Sequence, residues 1–106
     1  MLANLLTSKV QLQQKTATQG ALGQTVTWEP VQTIYARVVP LNVNALAQYQ
    51  QLNTVVTHRI VLRGEVDIDL GEYRLLHGSK TYEPQVSAKH FKADSTTLTE
   101  VIVKEV

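Results

Sequence analysis

The stretch VTHRIVLR, residues 56–63, carries the clearest structural signal in the sequence. Its apolar and polar side chains alternate with a period of two, which is typical of a strand with one face in the core. One face carries Val56, His58, Ile60 and Leu62, and the other carries Thr57, Arg59 and Arg63. We therefore expect a β-strand here, and the neighbouring sequence shows which segments can pair with it.

Upstream, residues 8–16 show the same alternation, with Val10 and Leu12 on one face and Lys and Gln side chains on the other. Gly20 and Gly23 follow this run. Because glycine adopts a positive φ without a steric penalty, these two residues predict a tight hairpin turn. The segment is thus interpreted as a strand and the turn that leads into the next one.

Prolines mark the ends or irregular points of the next strands. Two extended runs, residues 24–29 and 33–39, flank Pro30, and Pro40 closes the second run. Proline has no N–H group to donate to a sheet, so Pro30 predicts a bend or bulge between two strand halves. For the same reason Pro84 predicts either a sheet edge or a bulge.

The sequence after residue 63 predicts a loop and three more strands. Residues 64–71 are acidic and framed by glycines, which is typical of a loop. Residues 72–77 and 80–88 predict a hairpin that turns at a Gly-Ser pair. We expect a polar connection at residues 89–95 and a final strand at 96–106.

Residues 42–52 depart from the period of two. Ala45 and Tyr49 lie at helical spacing, and either Asn42 or Asn44 can cap the amino end of a short helix. The chain therefore combines six or seven short strands with one helix, and it has no alternating β-α units. This predicts a mainly β fold, a small antiparallel β-barrel or sandwich, with the helix plugging an open end or packing on one face.

Length and composition set limits on function. The 106 residues fit a single domain spanning residues 1–106, and the absence of cysteine excludes disulfides and thiolate metal sites. A formal net charge of +1 is too small for a protein that holds DNA by neutralising phosphates. The apolar start, residues 1–6, is short and lacks a basic leader, so we expect neither export nor membrane insertion.

No group of residues has the spacing of a catalytic or metal site. Asp67, Asp69 and Glu72 are not followed by the further ligands of a calcium loop and are interpreted as solvated turn residues. The three histidines share no zinc spacing, and His58 is interpreted as a partly buried structural residue. The serines form no nucleophile elbow. We expect no enzymatic activity, no metal and no cofactor.

Arginines suggest a polar surface. Arg59 and Arg63 project from one strand face, and Arg37 and Arg74 are candidates to join them. The favoured interpretation is an exposed face paired with nearby acids, and the alternative is an interface or a surface that faces nucleic acid. Aromatic residues make up only 6% of the chain, too few for the stacking platform of a single-strand binder.

Two predicted strands carry apolar side chains on both faces. In residues 33–39, Tyr35 lies opposite the core-type positions, and in the last strand Val101 and Val103 lie opposite Leu98. A single small core has difficulty burying both faces of both strands. Either a helix or loop covers the second face, or that face is a subunit interface.

The order and spacing of these features resemble the head-tail joining proteins of long-tailed bacteriophages, also called head completion or head closure proteins. The resemblance covers most of the chain, although no single motif in it is strong. It rests on VQLQ (10–13), Gly23, VTWE (26–29), YARV (35–38), the Gln-rich helix (45–51), THRI (57–60), and Gly78 with Tyr82 four residues later.

The resemblance implies a structural virion protein without catalysis. It would form a homo-oligomeric ring in the neck, below the portal or an adaptor protein, close the DNA-filled head and provide the attachment site for a tail terminator or tail protein. DNA would pass through the lumen without sequence-specific binding. The expected location is the virion neck, and the host cytoplasm during assembly, with no membrane partner.

The contact residues follow from combining this role with the strand pattern. We expect Tyr35, Arg37, Val101 and Val103 to lie near subunit contacts. We expect one loop to face a partner or the lumen, and it comprises Glu65, Val66, Asp67, Ile68 and Asp69. The alternatives are a tail terminator or tail completion ring protein, and, in a different class, a small barrel that binds oligonucleotides.

Overall fold

The computed structural model describes residues 6–93 and 95–106, and these form one closed antiparallel barrel. The strand order around the barrel is β1-β2-β3-β6-β5-β4. The elements are β1 (Ser8–Gly20), β2 (Gly23–Pro40), α1 (Val43–Gln51), β3 (His58–Arg63), β4 (Tyr73–His77), β5 (Lys80–Ala93) and β6 (Thr96–Glu105). The predicted mainly β class is confirmed, and of the two predicted architectures the barrel is the one observed.

The first hairpin forms as its glycines predict. Gly20 pairs with Gly23, and Gly23 has a φ of 113°, which only glycine adopts readily. β2 is one continuous strand rather than two runs. Leu12 pairs with Gln32, but the next residue, Gln13, pairs with Pro30, so Val31 has no partner on β1. Val31 is therefore a β-bulge beside the proline.

The hairpin extends well beyond the barrel. β1 pairs with β4 only through residues 11–14, and β2 pairs with β3 only through residues 36–40. Residues 15–31, which we call the hairpin arm, therefore form ladder pairs only between β1 and β2. At its base the Lys15 N–H also donates to the Glu72 carbonyl at 2.8 Å. The molecule measures 52 × 32 × 23 Å, and the arm accounts for its elongated shape.

The barrel interior is filled with aliphatic side chains and one tyrosine. Alternate residues of each strand point inward, as the period of two requires. The largest wholly buried side chains include Leu12, Ile60, Leu62, Leu75, Val101, Val103 and Tyr82. Because side chains fill the interior, a barrel of this size is a packed core and not a channel.

A second, smaller cluster lies on the outer face of two strands. Val61 of β3 and Leu98 of β6 are buried there together with Leu6, which precedes β1. Phe91 of β5 packs against the same cluster. A chain segment thus covers the second apolar face of β6, and this was one of the two explanations that the sequence left open.

One expectation for the carboxyl-terminal half needs correction. Residues 89–95 are not a polar connection, because β5 continues to Ala93 and pairs with β6 as far as Thr96. Of the sheet edge and the bulge that Pro84 left open, the bulge is observed, since the register shifts between Pro84 and Val86 and again between Val86 and Lys89. β5 and β6 therefore continue here as a paired hairpin, whose Phe91 and Leu98 belong to the outer cluster.

The helix neither plugs the barrel nor buries a residue. Asn42 caps its amino end, where the side chain accepts a hydrogen bond from the Ala45 N–H at 2.8 Å. Ala45, Leu46 and Tyr49 are half-buried, while the other residues of α1 are exposed. The helix therefore lies on the outside of the barrel, and most of its surface faces solvent.

Candidate functional site

The loop between β3 and β4 crosses one end of the barrel. In the strand order these two strands lie three positions apart in either direction, so they stand on opposite walls. The connection, residues 64–72, must therefore span the opening. Val66 and Ile68 point down and are buried in the main core, whereas the alternating Glu65, Asp67 and Asp69 are exposed.

One buried hydroxyl anchors this loop. The Thr99 hydroxyl of β6 donates to the Gly64 carbonyl at 2.8 Å and accepts from the Val66 N–H at 3.0 Å. The His90 Nδ1 lies 3.0 Å from the same hydroxyl, and its Nε2 lies 3.5 Å from an Asp67 carboxylate oxygen. Because the single hydroxyl hydrogen goes to Gly64, this hydrogen-bond count places a hydrogen on His90 Nδ1.

The predicted partner-facing loop therefore divides into two sets. Glu65, Asp67 and Asp69 form an exposed acidic row that is available to a partner or a lumen. Val66 and Ile68 are core residues that close the barrel end, so the expectation that they face a partner is wrong. This separation could not be inferred from the loop alone, because it depends on which strands the loop joins.

The predicted subunit contacts also divide. Tyr35 is 47% exposed on the outer face of β2, where the Lys9 Nζ lies 5.3 Å from its ring centroid, and Arg37 is exposed on the same strand. Val101 and Val103 have no exposed surface and lie in the main core. Their side chains cannot reach a neighbouring subunit from there, so of the four only Tyr35 and Arg37 remain candidate contacts.

The arginines do not form one surface. Arg59 pairs with Glu100 at 3.5 Å, which agrees with the predicted exposed polar face. Arg74 lies on β4, on the opposite wall of the barrel from β3, and does not join it. Its guanidinium instead lies 4.5 Å from the ring centroid of Trp28, and its Nε donates to the Gln13 Oε1 at 2.7 Å.

The titratable side chains of His58 and Tyr82 pack against each other. His58 makes an edge-on contact with Tyr82, with 5.2 Å between ring centroids. Burial raises the pKa of Tyr82 above its ordinary value of 10.0, and the nearby Glu105 carboxylate raises it further, while Lys80 acts in the opposite direction. Among the residues described, no three His, Asp or Glu side chains are placed to hold a metal ion.

Apart from Tyr35, the sequence interpretation missed the exposed apolar side chains that are concentrated in one segment of the chain. Of the nine large apolar side chains that the described residues expose, seven fall within residues 16–57. They are Leu22, Val26, Val31, Tyr35, Val43, Leu52 and Val55. Hydropathy alone could not identify them as exposed, because the pattern of the arm is the same as that of a strand with one face in a core.

The comparisons with known proteins agree with this architecture. A solved structure, the solution structure of protein SF1141 from Shigella flexneri 2a, matches with a TM-score of 0.75 at 21% identity. The match covers 99% of this chain and 96% of that chain, so the two share a fold. No curated protein matches the sequence.

Two observations concern the class of protein. No helix within residues 6–93 and 95–106 is both long and apolar enough to cross a membrane. The family model described as phage head completion protein matches residues 1–101, nearly the whole chain. The chain therefore belongs to the phage head completion protein family, which supports a structural role in the heads and tails of phage particles.

Proposed function

We propose that this protein forms part of the neck ring of a tailed phage, docks below the portal or an adaptor, closes the DNA-filled head and provides the attachment site for the tail. The family match over residues 1–101 is the observation that carries this proposal. The protein would act without catalysis or a cofactor, and its partners would be copies of itself, the portal or adaptor, and a tail terminator or tail protein.

The closed barrel limits where DNA can pass. Side chains fill its interior, and Val66 and Ile68 close one end, so no strand of DNA can thread through a single subunit. The DNA path must then run between subunits, through the centre of a ring. A head-tail conduit of this kind needs several copies around one axis.

Charge supports a surface that DNA passes rather than binds. The net charge is only +1, and the exposed Glu65, Asp67 and Asp69 place negative charge at one end of the barrel. Carboxylates repel phosphates at short range and release no counterions on contact with DNA. We propose that this acidic row faces the lumen or a partner, and that Tyr35 and Arg37 lie at subunit contacts.

The proposal is tested by deleting the gene from the phage that encodes it and supplying it in trans. Without the protein we expect DNA-filled heads to accumulate without tails, or to lose their DNA, and we expect normal particles to return on complementation. Electron microscopy and nuclease protection of packaged DNA measure both outcomes. Normal tailed particles in the deletion strain would contradict the proposal.

The deletion strain and a DNA-binding measurement on the purified protein separate the two alternatives. A tail terminator would leave stable filled heads and instead give tails of abnormal length. A barrel that binds oligonucleotides would show tight, strongly salt-dependent binding of the purified protein to short DNA. We expect weak binding at moderate salt, because the net charge is only +1.

A further inference from the structure

The charged residues are distributed unevenly along the chain. Residues 16–57 contain Glu29 and Arg37 but none of the other 17 charged residues among the ten Lys and Arg and nine Asp and Glu. This segment comprises most of the hairpin arm, the rest of β2 and the whole of α1. It also holds most of the exposed apolar side chains. Depletion of charge together with exposed apolar and aromatic residues is typical of the centre of a protein interface.

The segment exposes two separate surfaces at opposite ends of one strand. The arm tip lies at the start of β2, and α1 follows its end at Pro40. The 18 residues of β2 span roughly 55 Å when extended, so the tip of one chain cannot reach the helix of the same chain. Two different uncharged surfaces on one subunit are what a head-to-tail contact between copies requires.

The two surfaces are compatible in size and in polarity. Leu22 lies in the turn at the tip of the arm, where its side chain is fully exposed. Beside the amino end of α1 an open groove of about 210 Å³ has room for an aliphatic side chain. The groove is lined by Val39, Pro40, Leu41, Asn42, Ala45 and Arg59. Five of these six residues are uncharged, as is the tip that would enter.

We propose that the tip of the hairpin arm of one copy inserts Leu22 into the groove beside α1 of the next copy. This rests on the proposed ring function and names the contact that would build the ring. A second copy is the occupant because it supplies both uncharged surfaces. The arm extends roughly 20 Å past the barrel, comparable with the 23 and 32 Å widths of the molecule, so it can lie along a neighbour.

Cysteine cross-linking tests the contact in assembled particles. The described residues contain no cysteine, and the full sequence has none, so introduced thiols have no competitor. A chain carrying both Leu22→Cys and Ala45→Cys should give a ladder of linked multimers when particles are oxidised. Each single variant is the matched control and should remain monomeric. Linked dimers from Leu22→Cys alone would show contact between arms and overturn the proposal.

A second pair of variants covers the case in which the thiols fail to react. Leu22→Asp should lower incorporation into particles about tenfold or more, as expected for a central interface residue. Val106→Asp places the same charge at an exposed apolar position outside the segment and should leave incorporation within about twofold. Equal incorporation of both variants would overturn the proposed contact.

The outcomes for the contact and for the function are distinct. If the unmodified protein enters the neck but the double-cysteine variant forms no ladder and Leu22→Asp is incorporated normally, the contact is wrong and the neck function stands. If the unmodified protein never enters particles, the neck function itself is wrong. Immunoblotting of purified particles measures incorporation in both cases.

Discussion

The guanidinium of Arg74 lies 4.5 Å from the ring centroid of Trp28 and joins the hairpin arm to the barrel wall. Arg74 belongs to β4 and Trp28 to the arm, and the Arg74 Nε also donates to the Gln13 Oε1 at 2.7 Å. A planar guanidinium can stack on an indole and donate in its own plane at the same time. This contact fixes the direction in which the arm leaves the barrel.

Replacing this arginine should loosen the arm while the barrel stays folded. We expect Arg74→Ala to reduce stability by about 1 kcal/mol and to increase amide hydrogen exchange in residues 15–31. Arg74→Lys should rescue only part of the protection, since an ammonium group lacks the stacking fork. Arg63→Ala, at an exposed position on β3, is the control. Equal exchange in both alanine variants would contradict the assigned role of Arg74.

The Thr99 hydroxyl should hold the loop that closes the barrel. Thr99→Val preserves the shape but leaves the Val66 N–H and the Gly64 carbonyl without their hydrogen-bond partner, at a cost of about 1–3 kcal/mol. Urea unfolding measures the loss. Thr99→Ser retains the hydroxyl and should stay within about 1 kcal/mol of the original protein. If Thr99→Val left the free energy of unfolding unchanged, the hydroxyl would not be the group that anchors the loop.

Adjacent loop residues should respond in opposite ways. Ile68→Ala removes a side chain from the core and should destabilise by about 2–5 kcal/mol. Asp69→Ala changes an exposed carboxylate and should stay within about 0.5 kcal/mol. Thermal unfolding of the two variants compares them directly. Similar losses in both would mean that the loop does not alternate between core and surface.

The acidic row should keep DNA from adhering to the ring. Glu65→Gln, Asp67→Asn and Asp69→Asn together remove three negative charges without changing side-chain size much. We expect tighter binding of short DNA to the purified protein and slower DNA ejection from particles, because phosphate repulsion is lost. A charge-neutralised Glu83→Gln on β5 is the control. Unchanged ejection would place the row away from the DNA path.

The raised pKa of Tyr82 predicts a loss of stability in alkali. The folded protein favours the neutral phenol, so its stabilising effect is complete below the ordinary pKa of 10.0 and is lost as the pH rises through the higher folded value. Urea unfolding from about pH 8 to about pH 11 should show this decline. Tyr82→Phe removes the titrating group, and an equally steep decline in that variant would contradict the assignment.

The elements that the sequence predicted correctly are those determined by side chains close together in the chain. β1, β3, the glycine turn at residues 20–23 and the Asn42 cap each depend on side chains within a few residues of one another. β5 was predicted too short because Lys89, His90 and Lys92 make its end look polar, and cross-strand pairing with β6 decides its length. The alternating Phe91 and Ala93 pack against the outer cluster.

Which side chains point into the barrel depends on how distant strands pair, and the sequence pattern could not predict this pairing. Val101 and Val103 were correctly placed on one face of the last strand, but apolar residues on both faces left open which one lies inside. The inward direction of Val66 and Ile68 depends on a loop that joins opposite walls of the barrel. The groove beside α1 arises only when the helix lies outside the barrel, which no spacing of residues indicates.

Electron cryomicroscopy of the neck of the encoding phage tests the central claim most directly. We predict a closed ring of this barrel between the portal or adaptor and the tail, around the DNA path. Within it the arm tip of each subunit should lie beside α1 of its neighbour, with Leu22 in the groove. A neck without this protein, or the protein located only at another part of the particle, would contradict the account.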